Sequence, residues 1–189
     1  MPLPEFLSVS AVELAEAAEL IPPPVILDMI IPKREMDNWC WAAVAVGVRK
    51  ALGGSQLDQC KVATLAFRPR RCCGPNKRLC DESSVLAPAL FGFQLPFAAS
   101  PPELDIGFVQ KNIDAGLPIP VRMKSGDQGH FVVIAGYQLH PRGSRLYVWD
   151  PEDGVRNEPT LDTLLTAYHD YWSWDLSYVM TGGPVPKIA

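Results

Sequence analysis

Four of the five cysteines, Cys60, Cys72, Cys73 and Cys80, fall within 21 consecutive residues, whereas Cys40 stands apart between Trp39 and Trp41. An odd count with one isolated thiol points to two disulfides and one working cysteine. Disulfides seldom persist in a reducing cytosol, so the pattern favours an oxidising compartment. Cys72 and Cys73 are adjacent and cannot easily bond each other, which leaves two pairings open. The expected one is Cys60–Cys72 with Cys73–Cys80. A zinc site is the rival use of these thiols, but no Cys-x-x-Cys pair or nearby histidine stands with them.

Cys40 is a candidate nucleophile. A thiol in the first turn of a helix sits in the positive end of the helix field, which favours the reactive thiolate. The plain alternative is a buried structural cysteine. His130 opens the apolar run Phe131-Val132-Val133-Ile134 directly after Gly129, which suits a sheet edge facing a cleft; a satisfied structural histidine is its alternative. His140, beside Pro141, and His169 read as surface residues. Asp150 joins His130 by geometry. A hairpin folded about residues 140 to 141 sets position 130 against position 150 to within about a residue. A carboxylate there can fix the imidazole's tautomer. Asp150-Pro151 also reads as a plain strand terminator.

The elements that must position these groups follow from periodicity and turn residues. Ser10 and Glu13 space a capping box for a short amphipathic helix over residues 10 to 20, and Pro22-Pro23-Pro24 then forces extended chain up to Lys33. A second helix is expected from Trp39 or Cys40 to about Leu52. It is apolar on nearly every side and therefore central and buried, and Gly53-Gly54 stops it. A short helix around Gln59 to Phe67 and an ambiguous apolar stretch from Val85 to Phe93 follow. Ser100 with Glu103 predicts a further capped helix with Pro101 and Pro102 in its first turn, ending at Gly116. The period then becomes strand-like over Pro118–Met123, His130–Tyr137 and Arg145–Trp149. Thr160 is placed to cap a helix carrying Leu161, Leu164, Leu165 and Tyr168, and Trp174–Thr181 reads as a last strand. Helices first and an antiparallel sheet second make an α+β domain.

Asn38-Trp39-Cys40-Trp41-Ala42-Ala43, the run from Gly129 to Tyr137, and Val148-Trp149-Asp150-Pro151 resemble the motifs of bacterial papain-like cysteine proteases. That group includes secreted effector proteases and is similar in layout to the peptidases that trim bacteriocin leaders. The resemblance runs from about residue 30 to 155 and takes in the Cys60 and Cys72-Cys73 segment as the cysteine-rich insert of secreted members. It implies a papain-like fold with a central catalytic helix packed on a C-terminal sheet. It also implies a cysteine endopeptidase working through an acyl-enzyme, with no cofactor or metal. Cys40 takes the role of nucleophile, His130 of general base and acid, and Asp150 of orienting carboxylate. One departure stands out. The family's oxyanion glutamine, about six residues before the nucleophile, is replaced by Arg34, and no glutamine precedes Gln56. Asn38 and Arg34 are the candidate replacements, against a helix-capping role for Asn38 and a solvent-facing one for Arg34. The same departure keeps a weak or dead papain-like binding module open, and the same triad also suits an acyl or peptidyl transferase, which differs only in what attacks the thioester.

Composition bounds the rest. The 189 residues are read as a single domain, with an N-terminal helix and arm over 1–32, a helical half with the cysteine-rich loop over 33–116, and a sheet half over 117–189. A formal charge of −4 gives no case for nucleic-acid binding. No apolar run approaches the roughly 20 residues of a membrane span. The first twenty residues lack the basic and apolar regions of a signal peptide, so export implies a signal already removed, a route that needs none, or a module cut from a longer chain. The expected partners are a protein or peptide substrate and an inhibitor or immunity protein. Arg68, Arg70, Arg71, Lys77 and Arg78 form either a solvated basic loop or an exosite for an acidic partner.

Overall fold

A computed structural model describes residues 21–103 and 105–182. The expected helix over 10–20 lies outside the described residues. Its successor, the extended arm, forms the short strand β1 (Val25–Ile26) and then carries Met29 and Ile31 into the core. The arm seats on the first described helix, α1 (Cys40–Ala51), because Gly47 has no side chain. A Cβ there would lie 2.3 Å from Ile31 Cδ1.

Helix α1 buries ten of its twelve residues, Cys40 through Arg49, as its all-round apolar sequence requires. Arg49 and Lys50 occupy its last turn, where cations suit the dipole, and Gly53 leaves it at a φ of 83°. Helices α2 (Gln59–Ala66) and α3 (Leu86–Gly92) pack against α1, with the 3₁₀ turn Gly74–Cys80 between them in the chain. The ambiguous stretch from Val85 is therefore helical.

Seven strands form one antiparallel sheet in the order β2 (Phe97–Ser100), β7 (Ser173–Met180), β3 (Ile119–Ser125), β4 (Gln128–Gln138), β5 (Arg145–Asp150) and β6 (Val155–Asn157), with β1 paired to β4. Strand β4 is apolar on both faces because both are covered. Phe131, Val133 and Ala135 join the core beneath α1, α2 and α3. Val132 and Ile134 join a second core with Val109 and Ile113 of α4 (Ile106–Asp114) and Leu164 of α5 (Leu161–Thr166). A bulge between Ile134 and Gly136 shifts the phase, so Tyr137 falls in that second core.

Three expectations are corrected. Ser100 lies in strand β2 and caps nothing; α4 starts at Ile106 with Asp105 as its cap, whose carboxylate accepts from Gly107 N at 2.9 Å. The two prolines hold the chain extended after the strand and cannot supply the N–H groups a continuous ladder needs. The helix does end before Gly116, which takes a φ of 76°. The disulfides are Cys60–Cys73 and Cys72–Cys80, the other of the two open pairings. Neighbouring residues in extended chain point opposite ways. Cys72 turns inward beside buried Cys80, which the 3₁₀ turn brings back beneath it, while half-buried Cys73 meets the first turn of α2. The β4–β5 register is the third: Val133 faces Trp149 and Gln138 faces Arg145. Continued to position 150, this ladder reaches Val132 rather than His130. The turn runs from His140 to Gly143 and is centred between residues 141 and 142, beyond the expected centre, and the bulge in β4 takes back only one residue of that offset.

Thr160 caps α5 as its position suggests, with its hydroxyl accepting from Thr163 N at 3.1 Å. Two cations of the basic loop are paired, Arg70 with Glu82 and Lys77 with Glu35, while Arg68, Arg71 and Arg78 are exposed. Among the described residues no helix is long and apolar enough to cross a membrane.

Candidate active site

Cys40 is the first residue of α1 and lies in the core beneath that helix, 7% exposed. Among the described residues it is the cysteine left free. The preceding Trp39 and Asn38, with Trp41 after it, stitch the helix start to the end of the cysteine-rich loop. Trp39 Nε1 donates to Cys80 O at 2.7 Å and Trp41 Nε1 to Glu82 O at 3.3 Å. Asn38 N donates to Asp81 Oδ1 at 2.8 Å and Asn38 Nδ2 to Asp81 O at 3.1 Å. The flanking tryptophans thus fix the loop that runs from Cys80 to Ser83 and Ser84.

His130 and Asp150 belong to the opposite sheet face. His130 pairs with Met123, a residue of the second core, and Asp150 lies two residues beyond Val148 of that same core. A register two residues from the symmetric one keeps both side chains on one face, since the strand period is two. They meet diagonally, within reach of long side chains. His130 Nε2 lies 2.7 Å from Asp150 Oδ1, and both residues are buried. Nδ1 is the ring nitrogen left for another partner. Cys40 and His130 come together at the end of the sheet, as walls of one cleft of about 960 Å³.

Burial alone would push the His130 imidazole toward neutrality. The hydrogen bonds of Asp150 and Cys40 and the Asp150 charge outweigh it and raise the imidazole to about 9. Burial likewise opposes the Asp150 charge, and the His130 hydrogen bond, Glu152 N–H and Tyr168 hydroxyl reverse it, holding the carboxyl below its ordinary value. A cationic imidazole between a thiol and a carboxylate can stabilise a thiolate and later return a proton to a leaving group.

The two candidate oxyanion donors also line this cleft, and both have partners. Arg34 Nη2 pairs with Glu152 Oε1 at 2.6 Å, and its backbone N–H donates to Pro151 O at 2.8 Å. Asn38 does not cap α1, whose cap position is Trp39 and has no side-chain bond. The Nδ2 group of Asn38 has two hydrogens and makes one bond, to Asp81 O.

Sequence reasoning missed the place of three residues around the pair, and of a fourth, Gln59, that holds the arm bearing Arg34. Tyr168 hydroxyl donates to Asp150 Oδ2 at 3.0 Å, and His169 Nε2 stands 3.5 Å from the same oxygen. Trp172 lies beside the His130 ring at 5.7 Å between centroids. Buried Gln59 clamps the arm, donating to Lys33 O at 2.7 Å and accepting from Glu35 N at 2.9 Å. A tyrosine or tryptophan on an amphipathic stretch reads as core. Only the turn at 168–172 tells otherwise, and its signal, two consecutive non-glycine residues in the left-handed region at His169 and Asp170, is conformational.

Residues 103–176 match the model of the Peptidase_C39 like family. The matched stretch spans the strands that carry His130 and Asp150 and extends through Tyr168 and Trp172; Cys40 lies outside it. The match supports a relationship to papain-like cysteine proteases, points to cysteine peptidase activity, and implies a protein or peptide substrate. No curated protein matches the chain.

Proposed function

We propose that the protein is a cysteine endopeptidase in which Cys40 attacks the scissile carbonyl and forms an acyl-enzyme that water then hydrolyses. The observation that carries this reading is the 2.7 Å contact of His130 with buried Asp150, behind a cleft that His130 and Cys40 both line. In the first step the Cys40 thiolate bonds to the carbonyl carbon and the imidazolium gives its proton to the departing amine. In the second, the neutral imidazole takes a proton from water, whose oxygen displaces the thiolate. Asp150 holds the ring orientation throughout. Negative charge on the carbonyl oxygen falls to the backbone N–H of Cys40, one of the unpaired donors of the helix start, and to Asn38 Nδ2.

The two disulfides fit an exported protein, and an exported peptidase is the reading that joins them to the site. A secreted effector or toxin, held in check by an inhibitor or immunity protein, belongs to the same proposal. One observation favours a second reading, a weak or inactive papain-like binding module: Arg34 and Asn38 are both engaged elsewhere.

Labelling with iodoacetamide separates the two. The wild-type protein is expected to alkylate rapidly at Cys40, and Cys40→Ala to lose both labelling and peptide cleavage while keeping its circular dichroism spectrum. Undiminished cleavage by Cys40→Ala would end the peptidase reading, and a fast-labelling protein without cleavage would favour the binding module. Product analysis with water and amine acceptors separates hydrolysis from transfer. Asn38→Ala is expected to lower kcat about a hundredfold with little change in KM if its amide serves the oxyanion.

A further inference from the structure

The Asp150 carboxylate is held from both sides. Oδ1 takes His130 Nε2 at 2.7 Å and Glu152 N at 2.8 Å; Oδ2 takes the Tyr168 hydroxyl at 3.0 Å. Tyr168 is 3% exposed, and its oxygen in turn accepts from Asn157 Nδ2 at 3.1 Å. The phenol therefore has one strong acceptor for its proton and one donor to its lone pair, so its rotor is set. Asn157 ends strand β6, which pairs with β5, so the carboxylate and the amide at the chain's far end stand on neighbouring strands. Burial and the Asp150 charge push the Tyr168 phenol far above its ordinary range, so it keeps its proton and remains a donor.

Tyr168 reaches this place through an unusual turn. Its backbone closes on Trp172 from both sides, Tyr168 N to Trp172 O at 2.8 Å and Trp172 N to Tyr168 O at 2.9 Å. Between them His169 and Asp170 take φ values of 49° and 71°, a conformation non-glycine residues seldom hold without support. The turn sets Tyr168 on Asp150 and Trp172 beside His130, so one short segment touches both members of the pair.

We propose that Tyr168 is a positioning residue of the active site: it acts through Asp150, turning Oδ1 toward His130 and keeping the imidazolium aligned with Cys40, with Asn157 setting the phenol. The proposal rests on the triad reading above. A free buried carboxylate can rotate, and each rotation loses the short bond to Nε2. The Tyr168 bond removes that freedom, because Oδ2 cannot leave it without stranding a buried polar group. His169, half exposed and 3.5 Å from the same oxygen, is a weaker partner on the solvent side.

The test is a double-mutant cycle read by the rate of Cys40 alkylation with iodoacetamide at pH 6 and by the pH profile of that rate. Tyr168→Phe keeps the ring and removes only the hydroxyl. It is expected to slow alkylation about tenfold at pH 6, as loss of a hydrogen bond to a charged group does, and to move the profile toward higher pH. In an Asp150→Ala background the same substitution is expected to change neither. Asn157→Ala, which leaves the phenol in place, is expected to give a smaller shift in the same direction. It is the variant to use if Tyr168→Phe fails a circular dichroism check of folding. The proposal is overturned if Tyr168→Phe or Asn157→Ala leaves rate and profile unchanged while Asp150→Ala lowers the rate, an outcome that spares the triad. It is overturned too if Tyr168→Phe slows alkylation equally in the Asp150→Ala background, which marks a packing effect. If Asp150→Ala itself has no effect, the orienting role of Asp150 falls, and Tyr168 falls with it.

Discussion

At the scale of single residues, the charge on His130 governs what pH does. The imidazole is raised to about 9, so it is cationic across neutral pH. A group raised on folding binds its proton more tightly in the native state. Its contribution to stability is then complete below the unfolded value of about 6.5 and disappears as pH rises through about 9. Urea denaturation is expected to show unfolding free energy falling across that window. Asp150→Ala is expected to flatten the fall, since its hydrogen bond is the largest of the effects that raise the imidazole against burial, and its charge adds to it. The proposed chemistry predicts a matching basic limb in kcat/KM near pH 9, where the imidazolium that protonates the departing amine is lost. A basic limb that stays in place in Asp150→Ala would separate the rate from this ionisation.

At the scale of elements, two features set the site's frame. The start of α4 depends on Asp105, not Ser100. Asp105→Ala is expected to cost about 1 kcal/mol, the worth of an N-cap, and Ser100→Ala less than about 0.5 kcal/mol. Equal losses from the two would contradict the observed helix start. The second feature is the loop held by Cys72–Cys80. Four hydrogen bonds tie residues 80–82 to Asn38, Trp39 and Trp41, and Ser83, Ser84 and Val85 line the cleft beyond. Replacing both Cys72 and Cys80 by serine is expected to cost about 2–4 kcal/mol and to raise KM more than it lowers kcat. Its cause is a loosened cleft wall, with Cys40 itself still anchored in α1. Chemical denaturation and steady-state kinetics on the double variant check both parts.

At the scale of the whole molecule, the sheet separates the groups that the site unites. The Cys40 helix packs on one face, and His130 and Asp150 stand on the other, so the cleft forms only where the sheet ends. Damage to the packing of either face is therefore expected to reach the chemistry. Peptide mapping of non-reduced protein is expected to find Cys60–Cys73 and Cys72–Cys80 with Cys40 alkylatable. Recovering the chain with four free thiols after expression under oxidising conditions would remove the main support for export.

The residues proposed for the chemistry were legible in the sequence because each carries a local mark. Cys40 is isolated among clustered cysteines, His130 opens an apolar strand, and Asp150 closes another. The long central helix and the strands from Ile119 onward were legible too, because one-dimensional periodicity reports which faces are buried. The tertiary structure alone decided the rest. Which of Cys72 and Cys73 turns inward depends on where the 3₁₀ turn returns, a question of packing that spacing does not contain. The β4–β5 register depends on a turn centred one position later than a symmetric reading places it and on a bulge at Ala135 that partly offsets it, neither of which alters the alternation a reader sees. Tyr168, Trp172 and Gln59 belong to the site's surroundings through contacts made across 18 to 42 residues of chain, as with Tyr168 to Asp150 and Trp172 to His130, or Gln59 back to Lys33. Such residues look like ordinary core or surface in sequence, because hydrogen-bond partners brought together by folding leave no periodic trace.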